Sequence, residues 1–130
     1  MKKLIMLFSC FCLLALPTLA FADAYVNEWI GEWDMNHDGW KVTLIITESK
    51  VDCASSPWCA LVLKYKDAKG KSVTGKIDKI DQKFQHMTFY LDFPNNTQKF
   101  DVYLFSWDKK KMAGITYWGG KTFGLFAIKP

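Results

Sequence analysis

Residues 84–107 read FQHMTFYLDFPNNTQKFDVYLFSW. Before the break at Pro94-Asn95-Asn96, Met87, Phe89, Leu91 and Phe93 fall at every second position. After it, Phe100, Val102 and Leu104 alternate with Tyr103, Phe105 and Trp107. A period of two belongs to extended chain, whose successive side chains point to opposite faces. Proline and asparagine between two such runs mark a turn. The stretch therefore reads as two neighbouring strands, 84–93 and 99–107.

The same rhythm extends in both directions. Towards the N-terminus, residues 29–34 open the series. Trp40, Val42, Leu44 and Ile46 share one face of the next strand, with Lys41, Thr43 and Thr47 on the other. Residues 58–66 carry Leu61, Leu63 and Tyr65, and 72–80 carry Val73 and Ile77, with Asp67-Ala68-Lys69-Gly70 as the turn between them. Towards the C-terminus, 111–118 and 122–128 flank the Gly119-Gly120 turn. No segment of 23–130 shows a helical period. The connections are too short for helical crossovers, so neighbours should pair antiparallel. The expected fold is all-β, an eight-stranded antiparallel up-and-down barrel, because closure removes exposed edges. A β-sandwich is the competing arrangement.

Residues 1–22 have the layout of a secretory signal peptide. Lys2 and Lys3 precede an apolar run from Leu4 to Leu16, followed by Pro17 and Ala20-Phe21-Ala22. The run is short for a membrane span, which needs roughly 20 residues. Cleavage is expected after Ala22 or Ala24, leaving a single domain over 23–130 in the periplasm or outside the cell. Loss of Lys2 and Lys3 takes the basic residues from 17 to 15 against 13 acidic, a net of +2. There is no arginine, and Lys109-Lys110-Lys111 is the only basic run. That is no nucleic-acid footprint, which needs clustered charge on one face, and the run reads as solvated turn lysines. Cys53 and Cys59 remain after export, and an even count in a small exported domain suggests a disulfide. Closing so short a loop is worth roughly 2–3 kcal/mol in the chain-entropy description.

Gly31-Glu32-Trp33 opens the first strand. A Gly-x-Trp at that place in an exported eight-strand chain resembles the calycins, the group of lipocalins, fatty-acid-binding proteins and avidins. The resemblance implies a barrel with Trp33 plugging one end. Length and even hairpins look more like the avidin branch, which lacks the lipocalin helix. Two departures stand out. Calycins place an arginine of the last strand against the tryptophan. Here the nearest basic residue is Lys129, which cannot stack and bond in the same planar way. The avidin Asn, Gly and Ser pattern after the tryptophan is also not met, so no biotin contact carries over.

Asp34-Met35-Asn36-His37-Asp38-Gly39 matches the first half of a helical calcium loop. Such a loop needs a glutamate at its twelfth position, where this chain has Ile45. Asn, Asp and Gly also make hairpin turns, and that reading is preferred; no metal and no cofactor are expected. His37 and His86 are expected at the surface.

Three functions remain to compare. A small apolar or aromatic ligand inside the barrel would explain the aromatic richness. Trp33, Trp40, Phe89, Phe100, Tyr117 and Phe123 are candidate lining residues, with Asn36, Thr43, Thr88 and Thr116 as polar contacts, although aromatic side chains also simply fill small barrels. A protein-binding role, such as inhibition of a secreted hydrolase, would use the 53–59 loop with Pro57 and Trp58 as a pre-organised anchor; the alternative is a stapled hairpin with Trp58 packed on the barrel end. Apolar residues on both faces of the later strands suggest homo-oligomerisation. Catalysis is not expected: there is no G-x-S-x-G nucleophile motif, and nothing sets Asp92, Asp101 or Asp108 at a working separation. Asn95-Asn96-Thr97 would accept a glycan only on a eukaryotic secretory route.

Overall fold

The computed structural model describes residues 24–49 and 53–130. The 1–22 signal-peptide expectation lies outside these residues. The chain forms a one-turn helix α1 (Ala24–Asn27) and then eight strands: β1 (Gly31–His37), β2 (Trp40–Glu48), β3 (Leu61–Lys66), β4 (Ser72–Asp81), β5 (His86–Phe93), β6 (Asn96–Leu104), β7 (Lys111–Trp118) and β8 (Lys121–Ile128). They follow one another around a closed barrel in sequence order. Every pairing is antiparallel, and β8 closes on β1 from Asp34↔Ile128 to His37↔Leu125. The expected up-and-down barrel is the observed one.

Alternation builds the core. Val42, Leu44 and Ile46 of β2, Met87, Phe89 and Leu91 of β5, and Phe100, Val102 and Leu104 of β6 all point inward and are buried. Full burial of one such side chain is worth about 1.5–3 kcal/mol. In β4 the register shifts between Ile77 and Lys79. An extra residue in one strand reverses its facing, and this one brings Ile80 into the core.

The strand limits differ from the expected ones in an instructive way. Residues 24–30 are not strand: α1 and the turn after it fold under one barrel end, where Val26 and Trp29 join the core. β6 begins at Asn96, which pairs directly with Phe93, so only Pro94-Asn95 forms the turn. It ends at Leu104, leaving Phe105 and Trp107 to pack on each other outside the ladder.

Trp33 plugs this closed end. Its indole N–H donates to the Trp29 carbonyl at 2.9 Å. The Lys129 Nζ lies 4.7 Å from the Trp33 ring centroid and donates to the carbonyls of Glu28 (3.0 Å) and Ile30 (2.8 Å). The lysine thus contacts the ring and bonds the chain, though not with the planar geometry of an arginine. Burial pushes its pKa down, with Glu28 opposing and Lys110 adding to the shift. Gly31 makes room for this stem: its φ is +143°, and a Cβ there would sit 3.1 Å from Lys129 Cδ. Cys53 and Cys59 form a disulfide with Cα atoms 5.9 Å apart. Trp58, inside that loop, is half-buried against the core, whereas Pro57 is exposed.

Candidate functional site

The β1–β2, β3–β4, β5–β6 and β7–β8 hairpins all lie at the end of the barrel opposite Trp33. Asp34-Met35-Asn36-His37-Asp38-Gly39 belongs to the first of them. Asp38 has φ 51° and Gly39 φ 86°, the two positive values of a tight hairpin turn matched to strand twist. Asn36 Oδ1 accepts the Gly39 N–H at 2.9 Å. Met35 and His37 face the interior, while Asp34 and Asn36 face out.

Among these hairpins lies a cavity of about 330 Å3. Its aromatic walls are Trp40, Tyr65, Phe93, Trp118 and Phe123, and its polar groups are His37, Asp38, Asp67 and Gln98. The rings interlock. Phe93 meets Trp118 edge-on at 5.9 Å and Tyr65 edge-on at 5.6 Å. His37 lies against Tyr65 and against Phe100 below it, and Phe100 stacks on Phe89 at 4.7 Å. Trp40 is 70% and Trp118 43% exposed, so the cavity opens to solvent between them.

Two buried polar pairs form its floor. His37 Nε2 and Tyr65 Oη are 2.9 Å apart. Burial pushes the His37 pKa below 6.5, only partly offset by the Asp38 carboxylate. Burial, with help from Asp67, pushes the Tyr65 phenol up to about 12. Both groups are therefore neutral near pH 7, and their contact is a hydrogen bond between uncharged partners. Gln98, 5% exposed, donates from its amide to Thr116 Oγ1 at 2.8 Å. Thr116 donates in turn to the Lys99 carbonyl at 2.8 Å.

The imidazole has a consequence for stability. With its folded pKa below the unfolded value of 6.5, the unfolded chain binds the proton first as pH falls. Stability is then full above 6.5 and drops as the pH descends through the folded value. Asp38, Tyr65 and Asp67 are the titratable neighbours around the ring, and none supplies a compensating salt bridge. Urea unfolding between about pH 7 and about pH 5 should lose stability in the parent, and His37→Gln should flatten that part of the profile. An unchanged slope would mean that His37 is not held neutral by burial.

The expected site residues are divided by the fold. Trp33 is at the closed end. Phe89 and Phe100 fill the barrel beneath the cavity, and Thr116 supports Gln98. Trp40 and Phe123 line the mouth. Tyr117 points outward, where Lys99 Nζ lies 5.8 Å from its ring. Asn36 also faces outward, over a surface trough of about 550 Å3 shared with Lys41, Lys66, Phe126 and Ile128. That trough is the larger depression, but it lies on the outer wall and lacks the converging rings of the mouth. Thr43 alternates with the buried Val42 and Leu44 and so faces out, and Thr88 bonds to Asp78 on the outer wall.

His37 corrects the surface expectation: it is the last inward residue of β1 and only 8% exposed. His86 lies outside, against Asp101 and stacked on Tyr103. Sequence reasoning did not select His37, Tyr65, Phe93, Gln98 or Trp118 as a group. The available signal was positional: His37, Tyr65, Phe93 and Trp118 are each the last inward residue before a hairpin of this end. Neither protein-family models nor curated proteins match the chain.

Proposed function

We propose that the protein is an exported, non-catalytic binding protein of calycin-like architecture that takes a small apolar or aromatic ligand at the barrel mouth. The observation that carries this reading is the cavity of about 330 Å3 walled by five aromatic side chains over a floor of buried polar groups. Small-molecule sites typically occupy about 300–1,000 Å3 and combine apolar walls with a few placed polar groups. The interlocked edge-on rings hold the walls in place without a ligand, which limits the ordering cost of binding. The Cys53–Cys59 disulfide suits an oxidising compartment, in keeping with periplasmic or extracellular residence.

The alternative use of the 53–59 loop as a protein anchor has less support, because Trp58 packs against the barrel core.

Isothermal titration with 4-tert-butylbenzyl alcohol, a neutral aromatic probe small enough for the cavity, tests the proposal. One saturable site is expected, weakened about tenfold, or about 1.4 kcal/mol, by Trp118→Ala. Trp118 is partly exposed, so its removal should leave the fold intact. Binding that ignores this substitution would remove the mouth from consideration.

A further inference from the structure

The lining of the mouth has a charge pattern that the chain as a whole does not. The protein carries 17 basic residues against 13 acidic ones, yet the charged side chains on the cavity are Asp38 and Asp67 alone. Lys41 and Lys66, their near neighbours in sequence, face the outer trough instead. The lysines are thus kept off the mouth, whereas carboxylates stand on both surfaces, since Asp34 and Asp67 also line the outer trough.

Those carboxylates stand beside aromatic faces. Trp40, Tyr65, Phe93, Trp118 and Phe123 surround the same volume, and the edge-on packing of Phe93 with Tyr65 and with Trp118 turns adjacent walls roughly perpendicular. A ring face is the negative end of the aromatic quadrupole and attracts a cation within about 6 Å of its centroid, tryptophan most strongly. Rings set at angles present several such faces to one volume. The imidazole, held neutral by its burial, adds no opposing charge. An anion would meet two carboxylates and no lysine here. A neutral ligand would gain nothing from them.

We propose that the barrel mouth selects an organic cation, a quaternary or alkylated ammonium group carried on a small apolar or aromatic body. The proposal rests on the binding function above and specifies its ligand class. The aromatic walls hold the cationic head and its methyl groups, which suit ring faces better than they suit hydrogen-bond acceptors. Asp38 and Asp67 supply negative potential, and the Gln98 amide, which lines the same cavity, can hydrogen-bond a hydroxyl or N–H on the ligand body.

The test compares two probes of the same shape that differ by one charge: trimethyl-[4-(hydroxymethyl)phenyl]ammonium and 4-tert-butylbenzyl alcohol. Each is titrated calorimetrically into the full mature chain and into Asp38→Asn/Asp67→Asn. The substitutions preserve the backbone roles of both residues. Asparagine tolerates the positive φ of position 38, and its side-chain oxygen can still accept the Lys69 and Lys71 N–H groups now bonded to Asp67 Oδ1. The ammonium probe should bind at least about tenfold more tightly than its neutral twin, and the double variant should shrink that ratio severalfold. Equal or tighter binding of the neutral probe overturns the cation proposal and leaves the binding function standing. A charge advantage that survives the double variant also overturns it, since the selectivity would then arise elsewhere. Saturable binding of neither probe overturns both readings.

Discussion

Trp33→Ala is expected to lose about 3–5 kcal/mol of unfolding free energy in urea titrations. A domain of this size typically has only about 5–15 kcal/mol in total, so the variant should be marginal at room temperature. Trp33 is fully buried and sits at the centre of the closed end. Its removal opens a cavity beneath the turn after α1 and frees the Trp29 carbonyl that the indole N–H satisfies. It also takes away the ring under Lys129, whose ammonium group holds the carbonyls of Glu28 and Ile30. Two milder variants separate these contributions. Trp33→Phe retains a ring below the lysine but loses the N–H donor, and should cost about 1–3 kcal/mol. Lys129→Met retains the stem and removes the charged donor, with a cost of similar size. A loss below about 1 kcal/mol for Trp33→Ala would show that this end closes without its plug.

Gly114→Ala should be nearly as damaging, for a different reason. A Cβ at Gly114 would lie 1.9 Å from the Asp101 carbonyl oxygen and 2.8 Å from Val102 Cα. Both obstacles are backbone, so no rotamer change relieves them. β6 and β7 would have to separate at the Val102↔Gly114 pair, in the middle of their ladder. We expect a loss of about 3 kcal/mol, near the upper end for overpacking, and a melting temperature lower by roughly 12–24 °C for a domain of about 100 residues. Gly124→Ala is the control. It lies on the neighbouring strand opposite Ile115, nothing lies within 4 Å of its Cβ position, and its φ is not in the left-handed region. Its melting temperature should match the parent or rise slightly, because alanine restricts the unfolded chain. Equal melting of the two variants would contradict the close approach of β6 and β7.

These two positions show where local reasoning reaches its limit. The Gly-x-Trp resemblance suggested Trp33 as an end plug, and in the structure it is fully buried with its indole N–H on the Trp29 carbonyl. Its partner was also visible as Lys129, but the way a non-planar head would meet the ring was not. The structure uses the flexible four-carbon stem to reach two carbonyls that the turn after α1 presents. Gly114 carried no signal: the need for glycine comes from the approach of Asp101 and Val102 on β6, a separate strand of the sequence.

The site divides in the same way. Phe89, Phe100 and Thr116 were chosen correctly as inward, since a period of two assigns each residue to a face once one inward neighbour is known. Tyr117 and Asn36 went to the wrong face because they were chosen by residue type, ahead of phase. His37 was misplaced because a turn motif drew attention to Asp38-Gly39, one residue beyond the strand end.

Alternating apolar residues and short turns, with no room for crossovers, determined the all-β class and the antiparallel pairing of neighbours, because pleat period and connection length are local properties of a chain; closure as a barrel instead of a sandwich was decided by the tertiary structure. That α1 and its turn fold under Trp33 to complete that end, and that the opposite end holds a cavity, was decided only by tertiary structure. Closure of β8 on β1 then gathered His37, Tyr65, Phe93 and Trp118, from four strands, around one cavity. Their proximity is set by the shear and circumference of the closed sheet, which no single segment of the sequence encodes.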